Sequence, residues 1–200
     1  MSDYMFMLES HLSPDQNRVL SEVQAAAAEA GMSVFLTGGA MRDMLGGFAV
    51  RDLDFTVEGD ALKLARILAK KTGAHIIYTD ERRKCAEMVF PGRVTAEIAM
   101  ARQERYAKPG APPQVAPATI HEDLRRRDFT VNAVALSLSR ASRGLLIDPT
   151  NGMGDLERKE LRAVHGYTLY DDPARILRLV RFRVRLGCTL EGKTAQQYQN

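Results

Sequence analysis

Leu36-Thr37-Gly38-Gly39-Ala40-Met41-Arg42-Asp43, followed shortly by Arg51-Asp52-Leu53-Asp54, is the stretch on which the reading of this chain turns. Val34-Phe35-Leu36 in front of it is a short apolar strand that the double glycine ends, and residues 40–47 read as a short helical turn closed by Gly46-Gly47. From Asp52 the pattern changes to a period of two. Leu53, Phe55 and Val57 point one way, while Asp52, Asp54, Thr56 and Glu58 point the other, which predicts a strand with one buried face. Alternate residues of a strand share a face with Cα atoms about 6–7 Å apart. Two carboxylates so placed can bracket hard cations, which prefer oxygen ligands, and two-metal phosphoryl chemistry needs ions about 3.5–4 Å apart. Asp-x-Asp alone also fits an exposed acidic strand, and a double glycine alone fits a plain tight turn. Together they are more specific: Gly38-Gly39 lets a phosphate approach backbone amides closely, and Arg42 offers it a fixed positive charge.

Working outward, Ser13-Pro14-Asp15-Gln16 is a capping box with proline at the first helical position, and it opens a helix that runs to Ala30 and stops at Gly31. Asp60 caps a helix through Lys71, closed by Gly73. His75–Tyr78 is a short strand, and Met88–Phe90 and Val94–Met100 form a hairpin about Pro91-Gly92. Val94, Ala96, Ile98 and Met100 make the apolar face of its second strand. Glu97 lies on the opposite face and is a natural third carboxylate if this strand runs beside the first. Lys108–Pro117, rich in proline, reads as a loop and a mobile element. Helical segments are expected around His121–Arg126 and after Asp128, and a long helix from Pro173 to about Leu186, stopped by Gly187, with Ile176, Val180 and Val184 as its core stripe. Asp148 to Asp155 reads as a packing turn. His75, His121 and His165 show no ligand spacing and read as structural. The fold class is α/β (α+β), a small mixed β-sheet flanked by helices.

The chain has 200 residues, 45% apolar and 26% charged, which is the composition of a soluble globular protein. It buries roughly 70% of its unfolded surface and needs no staple to fold. Its net charge of +3 does not announce a nucleic-acid binder, although the run from Arg158 to Arg185 is rich in arginine and could meet phosphates. Two cysteines, Cys85 and Cys188, without metal-ligand spacing point to a reducing, cytoplasmic setting. No basic-then-apolar leader and no apolar run of about 18 residues occur, so neither export nor a membrane is expected.

With these residues in view, the chain resembles the tRNA nucleotidyltransferase and bacterial poly(A) polymerase family, with the second-class catalytic head. Besides the opening block and Glu97-Ile98-Ala99-Met100-Ala101-Arg102, the resemblance is carried by three more blocks. They are Arg126-Arg127-Asp128-Phe129-Thr130-Val131-Asn132-Ala133, Asp148-Pro149-Thr150-Asn151-Gly152-Met153-Gly154-Asp155-Leu156, and Asp171-Asp172-Pro173-Ala174-Arg175-Ile176-Leu177-Arg178 running on to Arg181-Phe182. The resemblance implies that Asp52 and Asp54 hold two Mg2+ ions, that Glu97 joins them as a catalytic carboxylate, and that Gly38, Gly39 and Arg42 serve the triphosphate. It implies that Arg127 and Asp128 read the ribose, and that Asp172, Arg175 and Arg178 face the base of ATP or CTP in place of a template. Asp172 can equally cap its helix, with Pro173 at the first helical position. The family more usually has glutamate where this chain has Asp171, and Lys108–Pro113 occupies the place of a loop associated with switching between nucleotides.

The implied activity is transfer of AMP or CMP from a nucleoside triphosphate to an RNA 3′ end, foremost the tRNA 3′ end as CCA, CC or A addition. Poly(A) synthesis shares the same head. A non-catalytic nucleotide- or RNA-binding module is the competing class, and the intact Asp52 and Asp54 speak against it. Residues 1–138 are expected to form the catalytic head and 139–200 its end and the start of a helical neck, with the C-terminal body and tail of the family absent.

Overall fold

The computed structural model describes residues 3–199. Helix α1 (Asp3–His11), which the sequence reading did not anticipate, precedes α2 (Pro14–Glu29). The capping box forms as expected, Ser13 accepting from the Gln16 amide while the Gln16 side chain accepts from the Ser13 amide. Then come β1 (Ser33–Thr37), α3 (Gly38–Leu45), β2 (Leu53–Glu58) and α4 (Ala61–Thr72), the last capped by Asp60 and ended by Gly73 in the left-handed conformation. Strands β3 (His75–Asp80), β4 (Cys85–Phe90) and β5 (Val94–Met100) follow.

A small arm of β6 (Arg102–Arg105) and β7 (Gln114–Pro117) comes next, then α5 (Ile120–Arg125), β8 (Ala135–Ser137), β9 (Leu146–Ile147) and α6 (Gly152–Glu157). The chain continues through β10 (Glu160–Leu161), α7 (Thr168–Asp171), α8 (Ala174–Leu186), β11 (Thr189–Leu190) and α9 (Gly192–Gln199).

Seven strands form one mixed sheet in the order β3-β4-β5-β2-β1-β8-β9. Only β2 and β5 run parallel; the neighbouring pairs are antiparallel. The alternation read from the sequence sets the two faces. Leu53, Phe55 and Val57 of β2, and Val94, Ala96, Ile98 and Met100 of β5, all enter the main core, where α2 and α4 cover them. The other face carries Asp54, Thr56 and Glu97, and it is partly roofed by Ile120 and Leu124 of α5, which pack on Phe35 and Ala135. A third cluster joins Phe129 and Val131 to Leu179, Phe182 and Leu186 of α8.

Three expectations need correction. Gln114–Pro117 at the end of the expected loop is a strand, because it pairs antiparallel with Arg102–Arg105. The helix expected after Asp128 is a single 3-10 turn, Thr130–Asn132. Of the expected core stripe of α8, Ile176 is partly buried against the third cluster, but Val180 and Val184 are 45% and 79% exposed, and the buried stripe is Arg175, Leu179, Phe182 and Leu186. Both sets have helical spacing, so periodicity alone does not choose between them.

The turn at 148–155 packs as expected. The Asp148 carboxylate accepts from the amides of Gly152 and Met153 at 2.7 and 3.0 Å, and buried Asp155 accepts from the Thr130 hydroxyl at 2.7 Å. A Cβ on Gly152 would stand 2.0 Å from the Thr130 carbonyl oxygen, a backbone atom, so α6 can approach the 3-10 turn only with glycine there. Gly152→Ala is therefore expected to cost about 1–3 kcal/mol or more in urea unfolding, whereas Gly166→Ala, where a Cβ meets nothing within 4 Å, should leave the midpoint unmoved.

Candidate active site

The parallel register of β2 and β5 places Asp54 directly beside Glu97, both on the face turned away from the main core. Above Asp54 the chain leaves β1 through Gly38, which has φ +63. A Cβ on Gly38 would come 3.0 Å from Asp54 Oδ2 and 3.2 Å from Arg127 Nη1, and one on Gly39 would come 3.1 Å from Asp54 Oδ2. The double glycine thus allows backbone to lie against a carboxylate. The amides of Gly39 and Ala40 donate to Asp54 Oδ2 at 2.8 and 3.3 Å, at the start of α3, where the helix favours negative charge. These are the amides that the sequence reading offers to a phosphate, and in this structure the Asp54 carboxylate takes them. Asp52, exposed at the mouth, accepts from the Thr95 hydroxyl.

Burial pushes the Asp54 carboxyl above its ordinary range, against the opposing pull of Arg127 and the two amides, and Asp52 adds to the rise. Burial likewise raises Glu97, with Asp54 the next cause, while Arg102 and Arg127 pull it down. Both rises are thus set foremost by burial, with the neighbouring carboxylates adding to them. Among the described residues no three His, Cys, Asp or Glu side chains converge as a ready-made cage. The fit to a hard divalent cation rests instead on the carboxylate oxygens of Asp52 and Asp54 beside Glu97, with oxygens of a triphosphate and water able to complete the shell.

Around this floor the arginines are held by named partners. Arg127 Nη2 donates to the hydroxyls of Thr37 and Thr56 at 3.2 and 3.1 Å and to Asp123 at 2.9 Å. Asp123, 0% exposed, also accepts from Arg126 and from the Arg102 amide. Burial alone would raise its carboxyl, but Arg127 and Arg126 hold it below the usual range. Asp128 accepts from its neighbour's amide and from Asn132 on one oxygen, and from Arg178 Nε at 2.7 Å on the other. Arg42 is buried beside Gly39; it donates to Asp43 through Nε and Nη2 and to Asn132 Oδ1 through Nη1 at 2.7 Å. These bonds use three of its five N–H groups.

The N-cap of α8 is Pro173 rather than Asp172, which stands one residue before it; the Asp172 carboxylate accepts from the Ala174 amide at 3.1 Å, and its second oxygen lies 3.7 Å from Arg175 Nε. Arg175 is buried, with Nη2 and Nη1 donating to the carbonyls of Arg126 and Thr168 at 3.2 and 3.5 Å. Asp171, the departure noted in the sequence, contributes its carbonyl to the Gly110 amide at 3.1 Å and so ties the proline-rich loop to the start of α8.

A sheet carrying paired carboxylates under a double-glycine turn defines a nucleotidyltransferase-type head. The sequence profile of the poly(A) polymerase head domain matches residues 34–162, and the chain belongs to that family. It is 40% identical over 195 residues to an A-adding tRNA nucleotidyltransferase of Halalkalibacterium halodurans, covering 97% of this chain and 45% of that protein. It is 36% identical over 177 residues to a CC-adding tRNA nucleotidyltransferase of Deinococcus radiodurans, covering 88% of this chain and 47% of the relative. A solved CCA-adding enzyme in an apo form superposes with TM-score 0.88 at 32% identity, covering 98% of this chain and 46% of that one. The chain thus spans about half the length of these relatives.

The sequence reading brought Asp52, Asp54, Glu97, Gly38, Gly39 and Arg127 to one place. It missed the residues that hold the arginines: Thr37, Thr56 and Asp123 on Arg127, Asp43 and Asn132 on Arg42, and Phe182 beside Arg42 and Arg178. Thr56 was within reach, since it shares Asp54's strand face, and Asp123 stands one helical turn before Arg127.

Because its folded-state value is raised, the Glu97 carboxyl favours folding while protonated, and that contribution is lost as pH rises through the raised value. Glu97→Gln is expected to melt higher than wild type at neutral pH in metal-free buffer, with the difference vanishing as pH falls to the acid side. A lower midpoint than wild type at pH 7 would contradict this account of the site.

Proposed function

We propose that this chain is the catalytic head of a template-independent nucleotidyltransferase that adds AMP or CMP to RNA 3′ ends, with the tRNA 3′ end as acceptor. The observation that carries the reading is the in-register Asp54–Glu97 pair under the Gly38-Gly39 turn, with Asp52 at its mouth. The relatives are an A-adding and a CC-adding tRNA nucleotidyltransferase, which supports it. We take 1–138 as the head and 139–200 as its end and the start of a neck.

In this mechanism the RNA 3′-hydroxyl attacks the α-phosphorus of ATP or CTP. A new P–O bond forms, the bond to the β-phosphate oxygen breaks, and pyrophosphate leaves. Two Mg2+ ions, held by Asp52 and Asp54 with Glu97 alongside, would lower the pKa of the attacking hydroxyl and neutralise the leaving oxygens. The chain's own residues do the positioning. Gly38 and Gly39 bring backbone against Asp54, so that a triphosphate at this turn would contact amides that Asp54 now holds, and Arg42 supplies charge beneath Gly39. Arg127, fixed by Asp123, stands next to Asp54, while Asp128 holds Arg178; these serve the ribose side. Asp172 and Arg175, with Arg178 one turn on, supply acceptor and donor for the base. Serving the ribose through hydrogen bonds to its hydroxyl explains why a deoxynucleotide would be refused, since buried polar groups would then lose their partners. The two free cysteines suit a cytoplasmic protein acting on tRNA. No helix among the described residues is long and apolar enough to cross a membrane.

Calorimetry with ATP, CTP, GTP, UTP and dATP tests the reading. Magnesium-dependent binding of ATP or CTP, with GTP, UTP and dATP refused, is expected, and equal binding of all five would refute it. Magnesium should also raise the melting midpoint of the wild type through linkage and do so far less for Asp54→Ala. That variant is expected to lose at least about a hundredfold in transfer to tRNA while keeping its fold.

A further inference from the structure

Phe182 lies on the buried stripe of α8, 5% exposed, and it is the meeting point of two arginines from different parts of the chain. The Arg42 guanidinium carbon stands 5.0 Å from the centre of its ring, and that of Arg178 stands 5.3 Å away. Phe129 packs edge-on against the same ring, centroids 5.9 Å apart and planes at 85°. The flanking positions on the helix reach the same neighbours. Arg178, four residues before, holds Asp128, and Arg185, three residues after, donates to Asp43 Oδ2 at 2.8 Å. Asp43 in turn binds Arg42 on its other oxygen, and Asn132 links Arg42 to Asp128. Positions 178, 182 and 185 are thus one face of α8, clamped onto α3 and the 128–132 turn.

We propose that Phe182 is a positioning residue. Its aromatic ring holds Arg42 and Arg178 in fixed relation, so that the arginine under the double glycine and the arginine of the base-facing helix act as one unit. An aliphatic side chain would keep the position apolar, with a smaller volume, but offers no π face to either cation. Arg42 is buried while the Arg178 side chain is 54% exposed, and each guanidinium meets a carboxylate, Asp43 or Asp128, as well as the electron-rich ring. The inference rests on the proposed reading in which Arg42 serves the triphosphate.

Three forms of the chain test it: wild type, Phe182→Leu and Phe182→Tyr, each with its melting midpoint and its affinities for ATP and AMP. Phe182→Leu is expected to lower the ratio of ATP to AMP affinity by about three- to tenfold, and Phe182→Tyr, which keeps the ring, should retain most of it. A folded Phe182→Leu with the wild-type ratio would overturn the proposal, as would an equal fall in both variants. Nitrogen-resolved NMR of the arginine Nε–H groups supplies the readout that needs no nucleotide. In wild type and Phe182→Tyr the Arg42 and Arg178 resonances should be displaced by the ring current, and in Phe182→Leu they should not. If no nucleotide binds any form, the reading of the site fails, and the NMR comparison alone then decides the role of the ring. Undisplaced Nε–H resonances in the wild type would end the proposal even if both variants failed to fold.

Discussion

Parallel pairing of β2 with β5 forces Asp54 and Glu97 side by side on a half-covered sheet face, and two like charges there repel while burial disfavours both. Much of the surrounding architecture answers that constraint. The amides at the start of α3 and the Arg127 guanidinium draw the charge of Asp54 toward themselves, and Arg102 and Arg127 act on Glu97. The compensation is incomplete, as both carboxyls remain raised. A fold could bury apolar residues at the same positions and be more stable for it, so a like-charged pair kept on a half-covered face marks this spot as a candidate functional site.

The arginines that frame this face are not loose surface groups. Asp123, without solvent contact, fixes both Arg126 and Arg127, and Arg126 passes the restraint on in two directions, to Glu104 of the arm and through its carbonyl to Arg175 of α8. A buried ion pair is weak evidence for stability, since desolvation consumes much of the attraction. Its use here is geometric: guanidinium groups that are already oriented lose little freedom when a ligand arrives. Arm, sheet and α8 consequently meet around one aspartate.

The sheet and its two chemical faces were legible because β2 and β5 each alternate cleanly, and a period of two admits only one assignment of sides. The capping boxes and glycine stops likewise marked α2 and α4 correctly. The core face of α8 was not legible: burying Arg175 runs against the ordinary rule for charged residues, and the carbonyl of Arg126, remote in sequence, together with that of Thr168 and the nearby Asp172 carboxylate, makes it tolerable. The strand Gln114–Pro117 was hidden by prolines, which a two-stranded arm accepts at its edge. The candidate site residues were singled out by spacing, and some of their partners, Asp43 and Asp123, lie close by in sequence, whereas Asn132 and Phe182 reach Arg42 from distant segments, which no local pattern records.

The clamp of α8 on α3 has a temporal meaning during synthesis. Arg42 leaves the ribosome early, but its ring partner lies 140 positions later, and Arg185 follows Phe182 by another three. The pairing of β2 with β5 and the amide bonds from Gly39 and Ala40 to Asp54 lie within the first hundred residues, whereas Arg127, the β1–β8 pairing and the ring beside Arg42 all come from later in the chain. The ring contact can form only after α8 has been synthesised, so the contact that fixes Arg42 is among the last that the growing chain can make.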